Sequence, residues 1–193
     1  MINKKQVVLA AVAALGLSAG QAMASGQAGL YLADFDDVGD GFGLEGHFDV
    51  TPTVRLSGDL LSVDEDDFNT ELDILRLRGG YLLHLVDDDL ELEIGGSFQN
   101  WDRTMPDGMG GTMSADDDAF GFHVQAAFSV TPEFSIGGGF EYVTFDDELF
   151  IEDETIINLR ADYALGNFGL FFGYDMYDEM DNDLIKIGGA FRF

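Results

Sequence analysis

Residues 120–130 read FGFHVQAAFSV, and they alternate between an apolar residue and a polar or small one. Successive side chains of a β-strand point to opposite faces, so this spacing predicts a strand with one apolar and one polar face. Such a strand suits either a half-buried soluble sheet or the wall of a membrane barrel, and one segment does not separate the two. The apolar positions are Phe120, Phe122, Val124, Ala126, Phe128 and Val130.

The same two-residue period recurs along the whole chain after residue 25, whereas no stretch there shows a clear helical period. Ten segments of this kind can be distinguished, and most have the length that a tilted strand needs to cross a bilayer. Only the first is ambiguous, because Leu30 and Leu32 compete with Tyr31 and Phe35 for the apolar face. The predicted strands are 27–36, 41–50, 53–63, 71–85, 90–102, 118–130, 133–145, 153–165, 168–178 and 184–193.

Short connections alternate with longer acidic ones between these segments. The short ones are Thr51-Pro52, 86–89, Thr131-Pro132 and Gly166-Asn167, and the longer ones are 36–40, 64–71, 102–118, 146–154 and 178–183. Membrane barrels show this alternation, with tight turns at the periplasmic end and longer loops outside. We therefore predict an all-β fold, a closed antiparallel transmembrane barrel of ten strands with both termini on the periplasmic side. Eight strands is the alternative.

The first 24 residues have the features of a secretory signal peptide. Lys4 and Lys5 precede a short apolar stretch, and Ala22-Met23-Ala24 offers a small-x-small cleavage site. We therefore expect residues 1–24 to be removed and residues 25–193 to form one barrel domain.

The composition excludes several classes of protein. The chain carries 37 acidic residues against nine basic ones, which rules out nucleic acid as a partner because phosphate binding needs a basic surface. Cysteine is absent, so thiolate chemistry and disulfides are excluded. The 17 Phe and the 46% apolar content argue against disorder.

The basic residues of the predicted strands all fall on the polar side. A cation that faces lipid at the bilayer midplane costs about 2–4 kcal/mol, so a membrane would impose this pattern, whereas a soluble sandwich would place its bases outside. Acidic residues share the same side, which predicts a lumen filled by ion pairs. The predicted network comprises Arg55, Arg76, Arg78, Glu91, Glu93, Glu141, Arg160, Asp162, Lys186 and Arg192.

Aromatic residues cluster at both ends of the apolar faces, as in the aromatic girdles of membrane barrels. The periplasmic girdle would contain Phe48, Tyr81, Phe128, Phe134, Tyr163, Phe168, Phe191 and Phe193, and the outer girdle Phe42, Phe98, Phe120, Tyr142 and Tyr174.

These features together resemble the small outer-membrane β-barrel proteins of Gram-negative bacteria, the group that holds OmpA-type transmembrane domains and opacity-type porins. The resemblance covers the signal segment, the alternating strands, the hairpin VTPEFSIGGGFEYV (130–143) and the terminal IGGAFRF (187–193). It implies an outer-membrane location, contact with outer-membrane lipid and lipopolysaccharide, and a monomer. In this family the final aromatic residue and the residues at two-residue spacing before it are read by the barrel assembly machinery. Here those positions are Ile187, Gly189, Phe191 and Phe193.

The acidic loops raise the question of a metal site, because carboxylates are hard ligands that suit Ca²⁺ or Mg²⁺. Such ions could bind weakly and bridge to lipopolysaccharide phosphates, but no loop fits the EF-hand spacing, and a solvated acidic surface accounts for the same residues. We therefore expect no cofactor. The candidate ligands are Asp36, Asp40, Asp178, Asp181 and Asp183.

Catalysis would require a nucleophile or an activated water beside an oriented base. His47, His84 and His123 all fall on the polar face, but their predicted heights keep them apart, and Ser129 lies too far along the strand from His123. We therefore expect no enzyme and predict a structural or surface-interacting barrel with a narrow or closed polar lumen. A small cation-preferring channel is the first alternative, and a membrane enzyme such as a lipid A hydrolase is the second.

Overall fold

The computed structural model describes residues 25–36, 38–65, 70–85, 89–106, 111–146 and 153–193. The predicted signal peptide, residues 1–24, lies outside the described residues, as do parts of several predicted loops. No helix among the described residues is long and apolar enough to cross a membrane.

Ten antiparallel strands form the fold, and the ten-stranded prediction is confirmed. Each strand pairs with its neighbours in sequence, and β1 pairs with β10, so the sheet closes into a barrel. The strands are β1 (Gly26–Phe35), β2 (Gly39–Thr51), β3 (Val54–Glu65), β4 (Thr70–Leu85), β5 (Leu90–Pro106), β6 (Thr112–Ser129), β7 (Phe134–Phe145), β8 (Asp153–Leu165), β9 (Phe168–Tyr177) and β10 (Asn182–Arg192).

The two chain ends seal the seam between β1 and β10. Gly26 and Phe193 exchange two backbone hydrogen bonds, each with a nitrogen–oxygen distance of 3.0 Å. The aromatic ring of Phe193 lies so close to Gly26 that a Cβ there would be 2.6 Å from Cε2. Both termini therefore lie at one end of the barrel, called the terminal end below, and the opposite end is called the loop end.

Side chains alternate between the lumen and the exterior along every strand. The ambiguity in β1 is resolved, because Leu30 and Leu32 are 64% and 72% exposed whereas Tyr31 and Phe35 are buried in the lumen. Large apolar side chains cover the exterior on all ten strands, among them Phe42, Leu56, Leu77, Ile94, Phe120, Ile136, Leu159, Phe172 and Ile187.

The apolar exterior ends abruptly near the loop end, where the outward positions become acidic. On β1, Asp34 follows Leu32 on the same face, and on β6 Asp116 and Asp118 precede Phe120. Since large apolar patches are rare on soluble monomers, an apolar band that encircles a closed barrel below a charged margin indicates contact with lipid.

Short turns connect the strands at the terminal end, as predicted. Gly166 adopts a φ of 68°, a left-handed conformation that favours glycine in the tight hairpin between β8 and β9. At the loop end one prediction was wrong, because the long stretch 102–118 is mostly strand. Here β5 continues to Pro106 and β6 begins at Thr112, and the two remain paired beyond the apolar band. This extension lies outside lipid, so its sequence has no apolar alternation that could have revealed it.

Two inward glycines occur where neighbouring strands approach most closely. A Cβ on Gly95 would lie 2.1 Å from the carbonyl oxygen of Gly79, and a Cβ on Gly121 would lie 2.1 Å from that of Tyr142. Only glycine fits such contacts, so these positions allow the local bending that closes a small barrel.

Candidate functional site: the barrel lumen

Apolar side chains fill the lumen at the loop end, whereas the sequence predicted a narrow or closed lumen of polar character. Phe35, Phe145 and Tyr177 are the final residues of β1, β7 and β9, and their rings converge with Trp101 of β5. Ring centroids are 5.4 Å apart for Trp101 and Phe145, and 5.2 Å apart for Phe35 and Tyr177. The buried side chains of this apolar plug also include Leu61, Val63, Leu72, Ile74, Ala119, Val143, Ile156 and Leu184.

Hydrogen bonds anchor the plug to the polar residues beneath it. Trp101 Nε1 donates to Gln99 Oε1 at 3.0 Å, and Gln99 Nε2 donates to Glu141 Oε1 at 2.8 Å. Arg76 Nη2 donates to the hydroxyl of Tyr177 at 2.9 Å. The indole N–H of Trp101 and the hydroxyl of Tyr177 therefore both have hydrogen-bond partners, as buried polar atoms require.

A buried charge cluster lies directly below the plug. Lys186 Nζ is 2.6 Å from Asp175 and 3.4 Å from Asp59, and Arg76 lies within 4 Å of both carboxylates. Tyr31 donates a hydrogen bond of 2.5 Å to Asp59 Oδ1. Two bases thus share two acids at the centre of the barrel.

Arg78 and Glu141 connect β4 and β7, which are not neighbours in the barrel. Arg78 Nε donates to Glu141 Oε2 at 2.9 Å, and its Nη2 donates to the same oxygen. Glu141 is fully buried and also accepts from Gln99. The carboxylate is therefore held by three donors from two strands.

Two further clusters lie nearer the terminal end. Arg55 donates to Asp49 at 2.7 Å and to Glu91 at 2.5 Å, and its Nη1 is 3.9 Å from Glu93. Across the barrel, Arg160 binds both oxygens of Glu45 at 2.8 and 2.7 Å. Its Nε donates to Asp162 at 2.9 Å, and its guanidinium stacks 4.0 Å above the ring of Phe171.

The structure brings nine of the ten predicted network residues into contacts with charged partners, namely Arg55, Arg76, Arg78, Glu91, Glu93, Glu141, Arg160, Asp162 and Lys186. Arg192 differs, because its Nε donates to the amide oxygen of Gln27 at 3.2 Å. The partner of Arg78 does not follow from strand order alone. Arg78 lies opposite Ser97 on β5, whereas Glu93 lies opposite Leu82, which is why Arg78 reaches Glu141 instead.

Two histidines each lie near one carboxylate of the Arg55 cluster. His123 is fully buried and its Nε2 lies 3.0 Å from Glu93 Oε1, while His84 Nδ1 lies 3.9 Å from Glu91 Oε2. The two are thus closer to a common cluster than sequence position indicated. Among the contacts of the described residues, neither histidine is joined to a serine or threonine hydroxyl, so the arrangement resembles a lumen network more than a nucleophile and base.

A cavity of about 490 Å³ occupies the lumen on the terminal side of the plug. It is lined by the charge clusters on one side and by small residues such as Ala127, Ser135 and Gly137 on the other. Ser25 and Phe193 line its mouth, so the cavity opens at the terminal end. The aromatic residues of the plug are not part of its lining, and the cavity therefore ends below them.

The candidate metal ligands are spread over the loop end. Asp36 N donates to Asp183 O at 2.8 Å, and Asp183 Oδ2 accepts from the hydroxyl of Tyr174 at 2.6 Å. Asp178 and Asp181 lie in the tight turn between β9 and β10, and Asp40 lies on the exterior of β2. The described residues contain no group of three or more His, Cys, Asp or Glu suited to hold a metal ion.

Comparison with known proteins gives a result at the level of fold. No protein-family model matches the chain, and no curated protein sequence matches it. The β-domain of the Bordetella autotransporter BrkA superposes with a TM-score of 0.50 at 12% identity, over 88% of this chain and 99% of that one. The chain has the fold of an outer-membrane β-barrel.

Two further solved structures are similar at lower TM-scores. Neisserial surface protein A has 11% identity and a TM-score of 0.45, over 88% of this chain and 95% of that one. The KdgM porin has 10% identity and a TM-score of 0.48, over 86% of this chain and 99% of that one.

Proposed function

We propose that the chain is a monomeric integral protein of the outer membrane, with a structural or surface-interacting role and a lumen closed to solutes. Its terminal end faces the periplasm and its loop end faces the outside. The observation that carries this proposal is the apolar plug, because a permanent aqueous pathway would need a polar, hydrated lumen along its whole length.

The acidic loop end supports a surface role. Outward positions above the apolar band include Asp34, Asp64, Asp116 and Asp118, at the level where a barrel meets the lipid headgroups. Lipopolysaccharide phosphates are also anionic, so we propose that Ca²⁺ or Mg²⁺ mediates their contact with this margin. The two partners are lipopolysaccharide and, during biogenesis, the barrel assembly machinery that reads Ile187, Gly189, Phe191 and Phe193.

A small cation-preferring channel is the second candidate, and the cavity below the plug favours it. That cavity already spans the charged part of the lumen, so displacement of the plug alone would complete a pathway. The cavity lining is nearly balanced in charge, but the loop end is acidic, so a pathway that opened there would favour the entry of cations.

Single-channel recording in planar bilayers separates these two functions. The parent barrel is expected to give no discrete conductance, while a Trp101→Gly and Phe145→Gly double variant should conduct because it removes two facing rings of the plug. A matched double variant at the exterior, Phe98→Gly and Phe120→Gly, removes an aromatic pair of similar spacing without touching the lumen. Steady cation-selective current through the parent would overturn the closed-lumen proposal.

A further inference from the structure

The cavity below the plug contains one row of polar groups that the lumen network does not fully use. The row runs across four neighbouring strands, from β5 to β8, and each of its residues is the direct pairing partner of the next. Its members are Glu93, Gln125, Gly139 and Asn158. Neighbouring strands are about 4.8 Å apart, which places Glu93 and Asn158 at opposite ends of a short span. All but the glycine have side chains that line the cavity.

The Asn158 end of the row offers an unused donor. Asn158 Nδ2 is buried and has no hydrogen-bond partner, and a buried amide without one requires an explanation. The amide leans over Gly139, where a Cβ would be only 3.1 Å from Nδ2. Asn158 lines the cavity, and because Gly139 has no side chain, a rotation of the amide can bring this covered donor to the cavity wall.

The Glu93 end of the row offers an acceptor with spare capacity. Glu93 Oε1 is occupied by His123, but the nearest base to Oε2 is Arg55, 3.9 Å away. This distance is too long for a hydrogen bond. A cationic group inside the cavity could therefore bind Oε2 without displacing an existing contact.

The charges of the whole lining disfavour a ligand of one sign. Seven acidic and six basic side chains border the cavity, so neither a simple anion nor a simple cation finds an uncompensated field. The volume of about 490 Å³ lies within the range of small-molecule sites, and residues of the terminal end line the mouth.

We propose that this row binds a small zwitterion that enters from the periplasm, with its ammonium group at Glu93 and its carboxylate at Asn158 and Gln125. An ω-amino acid with a short methylene chain carries the two charged groups that this arrangement needs. This site goes beyond the proposed function, since a barrel closed to conduction still admits a solute from one side.

Calorimetric titration of the folded barrel in detergent micelles tests the proposal, with 4-aminobutyrate as the probe. Butyrate and butylamine are matched controls, because each keeps the chain length and one of the two charged ends. Saturable binding of 4-aminobutyrate, at least tenfold tighter than either control, is expected. Equal binding of butyrate or butylamine, or no saturable binding of 4-aminobutyrate, would overturn it.

Variants locate the site within the lumen. Asn158→Asp keeps the size of the side chain but places a carboxylate against the ligand's own, and should weaken 4-aminobutyrate binding about tenfold or more. Ala127→Leu should block the cavity, whereas Ala28→Leu adds the same volume at an exposed exterior position of β1, outside the cavity lining, and should leave binding unchanged. Migration of unboiled samples on detergent gels shows that each variant has folded. If Ala127→Leu abolished binding but Asn158→Asp did not, the zwitterion would lie elsewhere in the cavity and the assignment to this row would be wrong.

Discussion

Arg78 on β4 donates to the fully buried carboxylate of Glu141 on β7, at 2.9 Å from Nε to Oε2, across the interior of the barrel. The pair joins strands that are not neighbours, and through Gln99 it supports Trp101 in the plug. The contact therefore contributes both to the stability of the barrel and to the position of the plug.

Removal of one partner of this pair should destabilise the barrel strongly. Arg78→Ala leaves Glu141 short of two of its three donors, with Arg76 Nε, 4.0 Å away, as its nearest remaining base. Loss of one partner from a buried ion pair costs about 3–5 kcal/mol, and the residual contact with Arg76 should keep the loss near the lower end of that range. The free energy of unfolding in urea, followed in detergent micelles, measures the loss. Arg78→Met combined with Glu141→Leu should recover part of it, because the double variant leaves no orphaned charge. An Arg78→Ala barrel as stable as the parent would indicate that water replaces the guanidinium.

The sequence predicted which face each of these residues occupies but not which residue it contacts. Two-residue alternation places Arg78 and Glu141 in the lumen, since the period depends only on residue spacing. Their contact depends on strand register and on barrel closure, which bring β4 and β7 together across the lumen. The sequence predicted a narrow or closed lumen but not where the inward aromatic residues would gather. Trp101 and Tyr177 appear as separate inward residues until β5 and β9 are seen to converge.

Glycine at position 95 should be essential, while its neighbour should tolerate a side chain. Gly95→Ala would place a Cβ 2.1 Å from the carbonyl oxygen of Gly79, so the paired strands would have to separate. The nearest atom to a Cβ on Gly96 is 3.7 Å away, an ordinary contact. We expect Gly95→Ala to refold poorly and Gly96→Ala to behave as the parent, as measured by the fraction of heat-modifiable barrel on detergent gels. Equal refolding of the two variants would argue against the close approach of β4 and β5.

A cation on the exterior should reveal the position of the lipid. Leu30 is 64% exposed within the apolar band, and Leu30→Arg should cost about 2–4 kcal/mol in lipid bilayers, as expected for a charge near the midplane. Asp34→Arg lies on the same face beyond the band and should cost little. The free energy of unfolding from lipid vesicles measures both. If Leu30→Arg were harmless in vesicles, its side chain would not face the bilayer.

Phe193 should matter more for assembly in cells than for the stability of the finished barrel. Burial of its ring contributes about 1.5–3 kcal/mol, and a substitution retains the two backbone hydrogen bonds with Gly26, whereas a deletion would remove them. Phe193→Ser is therefore the informative change. It should cut the amount of surface-assembled protein severely, while refolding in micelles still yields a heat-modifiable barrel.

Phe128→Ser is the matched control, because Phe128 lies in the same predicted girdle with the same 42% exposure but away from the chain end. Equal losses for the two variants in cells would make Phe193 a packing residue of the girdle, and loss of refolding by Phe193→Ser alone would mean that its contact with Gly26 is needed to close the seam.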